Sequence, residues 1–203
     1  MCTPQVAVQG KGMVMKQDLR VETMQLQTSS IAINPLSAAF GKIELTQPAD
    51  AETQVVLTET DINRAFNSKF IRDKMQNLKV HVNGEAVTVD TQQMAFRLPG
   101  DHKVLLSTDV ILEQVGETKR VAFTAVPQVS PDGQSITLED LEYVEGKELS
   151  PALTDALLNQ AKELLDLRNF KLGEMSIQLK SLEAQESKLV LRAIARIEQF
   201  PAA

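Results

Sequence analysis

The chain alternates apolar and polar residues along most of its length, and the alternation gives way to helical spacing at two places. Alternation is typical of half-buried strands, whereas apolar residues three and four positions apart are typical of one face of a helix. The two helical stripes are Ile62, Phe66 and Phe70 within residues 58–75, and Leu153, Leu157 and Leu164 within residues 150–168. The pattern therefore predicts two amphipathic helices in a chain that is otherwise mainly strand.

The first helix has a well-defined predicted start at Thr58. Thr58 and Asp61 have the spacing of a capping box, in which each side chain bonds the backbone N–H of the other residue. Leu57 and Ile62 occupy the positions of a hydrophobic staple, which joins the residue before the cap to the fourth helical residue. The helical spacing then continues, and the sequence predicts one helix that runs on to Met75.

Four basic residues lie in the later turns of this predicted helix: Arg64, Lys69, Arg72 and Lys74. Two interpretations of this group are open. The cations could hold a phosphate headgroup, or they could complement the helix dipole, which favours positive charge at the C-terminus. Dipole complementation is the simpler interpretation, and the headgroup interpretation defines a candidate binding site.

A β-hairpin is predicted around Asn83-Gly84, because this dipeptide suits the two-residue turn in which both central residues have positive φ. The register supports the prediction. With a two-residue turn, Val82 faces Glu85 and Val80 faces Val87, so the apolar residues of both strands fall on one face.

The remaining segments predict an α+β fold with an antiparallel sheet. Strands are predicted at residues 31–36, 42–45, 53–57, 94–98, 104–112, 121–125, 136–143, 170–172, 175–179 and 189–193, with short strands bent at Gly10 and Gly12 within residues 6–28. Ser150 and Pro151 have the residue types of a helix cap and first helical position, and they open the second helix. The order of helix followed by hairpin occurs twice, which leaves an internal duplication open.

Length and composition suit one soluble domain over residues 1–203, because 43% of the residues are hydrophobic and 24% are charged. The net charge of −6 disfavours nucleic acid as a partner. Cys2 is the only cysteine, so an internal disulfide is impossible.

Side chains suited to catalysis or metal binding are few. His81 and His102 lack the spacing of a zinc site and are interpreted as solvated residues. An acidic group could bind calcium or supply acid–base carboxylates, but its spacing fits a solvated strand face better: Glu139, Asp140, Glu142, Glu145 and Glu148. We expect no metal, no cofactor and no enzymatic activity.

No signal peptide and no apolar run of about 18 residues is present, so the chain is expected to be cytoplasmic or peripheral to a membrane. A methionine followed almost at once by strand-like sequence leaves little room for a natural amino-terminal tail. A removed leader or anchor is therefore also considered.

Four segments resemble the LmeA-like phospholipid-binding family, and most closely its cyanobacterial members. They are residues 41–48 (GKIELTQP), 55–68 (VVLTETDINRAFNS), 121–127 (VAFTAVP) and 149–153 (LSPAL). The resemblance implies a non-catalytic, lipid-binding domain similar to the tubular lipid-binding proteins, in which a long curved sheet wraps around two helices and leaves an apolar groove. It also implies an envelope-associated protein, since better-characterised relatives are exported.

The resulting hypothesis is that phospholipid or a similar amphiphile lies between the sheet and the helices. The predicted lipid-binding residues are Ile62, Phe66, Phe70, Leu153, Leu157 and Leu164, and the predicted headgroup residues are Arg64, Lys69, Arg72 and Lys74. The protein would act as a carrier, a sensor or an accessory at a membrane surface. The alternative is a structural or scaffold domain with a filled core that binds another protein, and an enzyme acting on lipid is third.

Overall fold

Ten strands and three α-helices occur in the part of the chain that the computed structural model describes: residues 6–14, 20–28, 32, 34, 45–82, 85–113, 116–144, 151–169 and 175–198. The strands are β1 (Val6–Val14), β2 (Arg20–Thr28), β3 (Ala49–Thr58), β4 (Leu78–Val82), β5 (Glu85–Gly100), β6 (Lys103–Leu112), β7 (Glu117–Val129), β8 (Ile136–Tyr143), β9 (Met175–Gln185) and β10 (Lys188–Ile197). The helices are α1 (Glu59–Phe66), α2 (Lys69–Lys74) and α3 (Pro151–Leu164), and a 3₁₀ turn covers Leu167–Asn169.

The strands form two five-stranded antiparallel sheets, and not the single long sheet that the sequence predicts. Sheet 1 has the order β1-β2-β3-β10-β9, and sheet 2 is the meander β4-β5-β6-β7-β8. Sheet 1 joins the two ends of the chain, because β10 pairs with β3 from Lys188 opposite Thr58 to Ile197 opposite Ala49. The architecture is mostly antiparallel sheet, curled as a half barrel, with few helices.

Most of the predicted strands are confirmed, including the hairpin of β4 and β5. Val80 pairs with Val87 and Val82 pairs with Glu85, as the two-residue register requires. The Asn83-Gly84 turn lies outside the described residues, as do the strand predicted at residues 170–172 and most of those predicted at residues 31–36 and 42–45.

The prediction of one helix from Thr58 to Met75 is wrong, because the segment is divided into α1 and α2. The predicted start is confirmed, since Thr58 and Asp61 form the full capping box. Ser68 has extended backbone angles and its hydroxyl accepts a hydrogen bond from Ile71 N–H, so it caps a new helix. Three α-helices therefore replace the expected two in the described ranges.

Helix α1 covers an open edge of sheet 2. The β4 strand begins at Leu78, opposite Val89, so the β5 residues that follow Val89 have no strand neighbour on that side. Three side chains spaced four residues apart along α1 and its cap supply the missing partners. The bonds are Leu98 N–H to Glu59 Oε1 at 2.6 Å, Phe96 N–H to Asn63 Oδ1 and Asn63 Nδ2 to Phe96 O at 2.8 Å each, and Asn67 Nδ2 to Met94 O at 2.9 Å. Asn63 thus pairs with Phe96 as a strand residue would.

Two groups of buried side chains form the core. The larger one joins both sheets to α1: Val21, Leu57, Ile62, Phe96, Leu98, Val104, Ala125, Ala184 and Leu189. The smaller one lies between sheet 2 and α3: Val89, Val110, Leu112, Val121 and Leu153. The helices therefore pack on the sheets at separate places.

We predict that Asn63→Ala lowers the free energy of unfolding by about 2 kcal/mol, because it leaves two buried backbone groups of Phe96 without partners. Asn67→Ala is the matched control and should cost less than about 1 kcal/mol, since Asn67 is exposed and water can reach the Met94 carbonyl. Urea unfolding of both variants measures the difference. Equal losses would contradict the role assigned to Asn63.

Candidate functional site

A cavity of about 360 Å³ is bounded by both sheets and by all three helices. Sheet 1 contributes Leu57, Leu182, Leu189 and Leu191, and the helices contribute Ile62, Ala65, Phe66, Ile71, Leu157, Leu158, Ala161 and Leu164. Sheet 2 forms the opposite wall, with apolar residues such as Phe96, Leu106 and Phe123. The lining is almost entirely hydrocarbon.

Five hydroxyl groups line the wall, and three of them donate hydrogen bonds within the protein while Ser107 and Thr154 supply the other two. Thr91 Oγ1 donates to Met75 O at 3.0 Å, Thr108 Oγ1 donates to Gln92 O at 2.8 Å, and Tyr143 Oη donates to Thr154 Oγ1 at 2.8 Å. A polar ligand would therefore find few free donors in this cavity, and an apolar ligand loses nothing by their absence.

The strand register gives the cavity a direction along α3. Thr154 at the start of α3 bonds Tyr143 at the end of β8, and Leu165 just after α3 accepts a hydrogen bond from Ile136 N–H at the start of β8. The eleven residue steps from Thr154 to Leu165 correspond to about 16 Å of helix. We name the Ile136 side of the cavity the Ile136 end.

Helix α2 lies toward the side of the cavity that is opposite to Ile136. Met75, its C-cap, bonds Thr91, and Thr91 pairs with Val110 on β6. Tyr143 lies between Thr91 and the Ile136 end, since its row across β7 reaches β6 at Leu106, four residues before Val110. We name the side at Ile71, Met75 and Thr91 the α2 end.

Four of the six predicted lipid-binding residues line this cavity, namely Ile62, Phe66, Leu157 and Leu164. Phe66 also stacks on Phe96, with 5.8 Å between ring centroids. The other two residues do not line it. Phe70 is half-buried beside Ile71, which does, and Leu153 is buried in the smaller core group.

The cavity residues that sequence reasoning missed are mainly Ile71, Leu158, Ala161 and the inward residues of sheet 2. Ile71 was missed because the sequence predicts one unbroken helix, whose apolar spacing leads from Phe66 to Phe70. The helix ends at Phe66 and a new one begins after the cap at Ser68, so a different residue of α2 faces the cavity. An Asn-Ser pair of cap-forming residues was the available signal.

The four predicted headgroup cations are exposed: Arg64, Lys69, Arg72 and Lys74. On α2 they lie next to the cavity lining, because Ile71 and Met75 line the cavity while Arg72 and Lys74 face water. Lys69 is paired with Asp73 at 2.6 Å. The structure thus brings positive charge to the α2 end.

A buried carboxylate anchors the start of α1 beside the cavity. Asp61 is 1% exposed, and its Oδ1 accepts from Arg20 at 2.7 Å while its Oδ2 accepts from the backbone N–H and hydroxyl of Thr58. Burial acts to raise the pKa of Asp61, but the hydrogen bonds from Thr58 and Arg20 outweigh it, and the pKa lies below its ordinary value. Asp61 therefore stays ionised and holds β2 against α1.

The other polar groups considered from the sequence are on the surface. His81 and His102 are exposed, as are Glu139 and Asp140. Glu142 is also exposed and pairs with Lys103 at 2.7 Å, whereas Glu145 and Glu148 lie outside the described residues. Within the described ranges, no three His, Cys, Asp or Glu side chains are grouped so that they could hold a metal ion.

The longest described helix, α3, has 14 residues, and none of the helices in the described ranges could span a bilayer.

Comparison with known protein families gives a match over most of the chain. A family model described as LmeA-like phospholipid-binding matches residues 2–194, which include all three helices and both sheets except the last three residues of β10. Neither a curated protein nor a solved structure matches the chain.

We predict that Asp61→Asn lowers the free energy of unfolding at pH 7 by about 2 kcal/mol, because charged hydrogen bonds to a buried group are lost. The native pKa of Asp61 is below the unfolded value of about 3.9, so this stabilisation is complete above that pH. It is lost as the pH falls through the native pKa. As the pH is lowered from 7 to 3, the free energy of unfolding should therefore fall less steeply in the variant than in the wild type.

Urea midpoints measured between pH 7 and pH 3 test this prediction. The control is Asp73→Asn, which removes an exposed carboxylate that pairs with Lys69 at the surface. If the two variants show the same pH profile, Asp61 has no special role in the acid stability.

Proposed function

The chain belongs to the LmeA-like phospholipid-binding family, and we propose that it binds phospholipid or a similar amphiphile in the cavity without catalysing a reaction. The observation that carries this proposal is the apolar cavity of about 360 Å³. Its volume lies in the range of about 300–1,000 Å³ that is usual for ligand sites.

The lining of the cavity favours an apolar occupant. Its wall is almost entirely hydrocarbon, so an acyl chain that enters it gains about 0.8 kcal/mol for each buried methylene.

The cations near the α2 end suggest where a headgroup would lie. Arg64, Lys69, Arg72 and Lys74 are all on α1 and α2, and Arg72 and Lys74 are neighbours of the lining residues Ile71 and Met75. A phosphate at this end would stay in water while its tail enters the cavity. The same cations would favour contact with an anionic membrane surface.

In this proposal the protein is a single domain that acts as a carrier, a sensor or an accessory at a membrane surface, and it has no nucleic acid partner. The similarity to tubular lipid-binding proteins, the likeness to cyanobacterial members and an association with the cell envelope stay predictions from the sequence. The alternative is a structural or scaffold domain in which the cavity closes on its own side chains and the partner is a protein.

Native mass spectrometry of the purified protein, followed by organic extraction and lipid analysis, separates these two functions. We expect phospholipid or a related amphiphile to co-purify, or to load when the protein is incubated with lipid vesicles. A protein that stays empty after incubation would favour the scaffold domain.

Phe66→Ala tests whether α1 borders the lipid. If Phe66 contacts bound acyl chain, we expect the variant to lose lipid uptake and to lose less than the 3–5 kcal/mol of stability that truncating a fully packed core phenylalanine costs. Urea unfolding of delipidated protein and uptake of a fluorescent phospholipid are measured together. Phe70→Ala is the matched control. Because Phe70 lies outside the cavity lining, lipid uptake by this variant should match that of the wild type.

A large stability loss in Phe66→Ala with unchanged uptake by the folded fraction would contradict this assignment. The lipid would then be sought along α3, at Leu157 and Leu164.

The double variant Arg72→Gln and Lys74→Gln tests the headgroup assignment. We expect its affinity for vesicles that contain phosphatidylserine to fall about thirtyfold, since each cation contributes about 1 kcal/mol at an anionic surface. Binding to zwitterionic vesicles should change little. The control is Lys119→Gln with Lys188→Gln, which removes two exposed cations from other elements. Equal losses in both double variants would assign the effect to net charge.

A further inference from the structure

We infer that helix α2 (Lys69–Lys74) is a gate of the cavity, which opens to let a lipid enter or leave while the rest of the fold stays in place. This inference rests on the proposed function, because it concerns how a ligand reaches the same cavity. It is carried by the way in which α2 is attached, by the irregular strand beside it and by the contrast with the Ile136 end.

Helix α2 is attached at its two ends. Ser68 and Met75, the residues that cap it, are each 7% exposed, and none of the six described residues between them is buried. Before the first cap, Asn67 Nδ2 donates to Met94 O at 2.9 Å. At the second cap, the N–H and the hydroxyl of Thr91 donate to Met75 O at 3.2 and 3.0 Å. The helix thus bridges two fixed points on β5.

The segment between these two points buries little surface that would hold it closed. Phe70 and Ile71 are half-buried, and the other four residues of α2 are exposed. The ion pair of Lys69 with Asp73 lies within α2. A helix of six residues is marginal by itself, since most helical stability in proteins comes from packing an apolar face. We therefore expect α2 to open at a lower free energy than the elements around it.

The strand beside α2 is irregular at the same place. The pairing of β5 with β6 is shifted between Gln92 and Ala95, and Gln93 has a φ of 42°, which is uncommon for a residue other than glycine. Met94 lies in this bulge and lines the cavity with a flexible, unbranched side chain. Bulges and strained backbone are concentrated near functional sites. Both α2 and β5 therefore depart from regular packing where a ligand would pass.

The Ile136 end of the cavity is held in a different way. A backbone hydrogen bond of 3.1 Å from Ile136 N–H to Leu165 O joins the start of β8 to the end of α3. Another, of 2.8 Å from Leu179 N–H to Gly133 O, joins β9 to the turn before β8. Opening at this end would break backbone bonds between three elements, whereas α2 can open by breaking bonds within itself.

The opening under α2 has a suitable size and charge. The seven residue steps from Ser68 to Met75 correspond to about 10 Å of helix. Carbon atoms in contact lie about 4 Å apart, so a hydrocarbon tail can pass between these two residues when α2 moves aside. Arg72 and Lys74 are exposed on the gate itself, next to the phosphate of a lipid whose tail has entered.

Asp73→Pro in the full chain tests the gate. Asp73 is exposed and is the fifth residue of α2, where proline removes a helical hydrogen bond and clashes with the preceding turn. Transfer of a fluorescent phosphatidylcholine between phosphatidylcholine vesicles and the delipidated protein is followed by stopped flow. We expect uptake and release both to become faster by about tenfold or more. The affinity should change less than about threefold, because α2 opens in the empty and in the loaded protein alike.

Asp155→Pro is the matched control. Asp155 is also an exposed aspartate at the fifth position of a helix that lines the cavity, α3. Because Leu153 beside it is 4% exposed in the smaller core group, this proline should lower the urea midpoint of the whole protein and accelerate transfer far less. Asp73→Pro should keep a urea midpoint close to that of the wild type. If either proline variant does not fold, Asp73→Gly and Asp155→Gly make smaller changes in the same directions.

Hydrogen exchange of the delipidated wild type tests the gate without any lipid. Within α2, the Arg72 N–H donates to Ser68 O at 3.0 Å, and it should exchange about a hundredfold faster than an amide that is bonded to α1. The reference is the Phe96 N–H, which donates to Asn63 Oδ1 at 2.8 Å.

The outcomes separate the gate from the proposed function. Equal acceleration of transfer in the two proline variants would mean that any loosening of the cavity has this effect, and it would overturn the gate. Unchanged transfer in Asp73→Pro, or exchange of Arg72 N–H as slow as that of Phe96 N–H, would also overturn it and leave lipid binding standing. Failure of the wild type to take up lipid from any vesicle would overturn the proposed function together with the gate.

Discussion

The open edge of β5 is the constraint on which the rest of the structure depends. Where β4 has no residue to pair with β5, backbone N–H and C=O groups must find other partners, or they remain as a template for another strand. Helix α1 supplies these partners through Glu59, Asn63 and Asn67. Because Asn63 both donates to and accepts from Phe96, it takes the place of a strand residue. The helix is thereby held at a distance from the sheet that hydrogen bonds determine.

This polar attachment explains how a cavity can persist beside α1. A helix held only by apolar packing moves toward its neighbours until the space between them is filled, since unfilled volume is unfavourable. Here the polar stripe of α1 is bonded to β5, while Ile62 and Phe66 point to the cavity from the adjoining side. The Arg20–Asp61 pair adds a second polar attachment at the start of the helix. Two fixed attachments leave α1 less free to collapse onto the space that a ligand would occupy.

Local sequence signals were sufficient for much of the fold. The Thr58 and Asp61 capping box, the Asn-Gly hairpin register and the meander all depend on residues that are close in sequence, and the structure contains each of these pairings. The division into two sheets could not be seen in this way. It depends on β10 pairing with β3, which brings Lys188 opposite Thr58 across most of the chain. Alternation predicts that a strand has a buried face, and it does not specify which strand will be its neighbour.

The candidate site shows the same limit at the level of single residues. The stripes at Phe66 and Leu157 identify apolar faces, and an apolar face has the same sequence pattern whether it contacts another side chain or a ligand. Leu153 belongs to the same stripe as Leu157, yet it packs into the smaller core group while Leu157 also lines the cavity. Which of the two residues lines the cavity depends on packing between segments that are distant in sequence. Hydrophobic periodicity therefore identifies the surfaces that enclose the cavity, and only the assembled fold determines the volume between them.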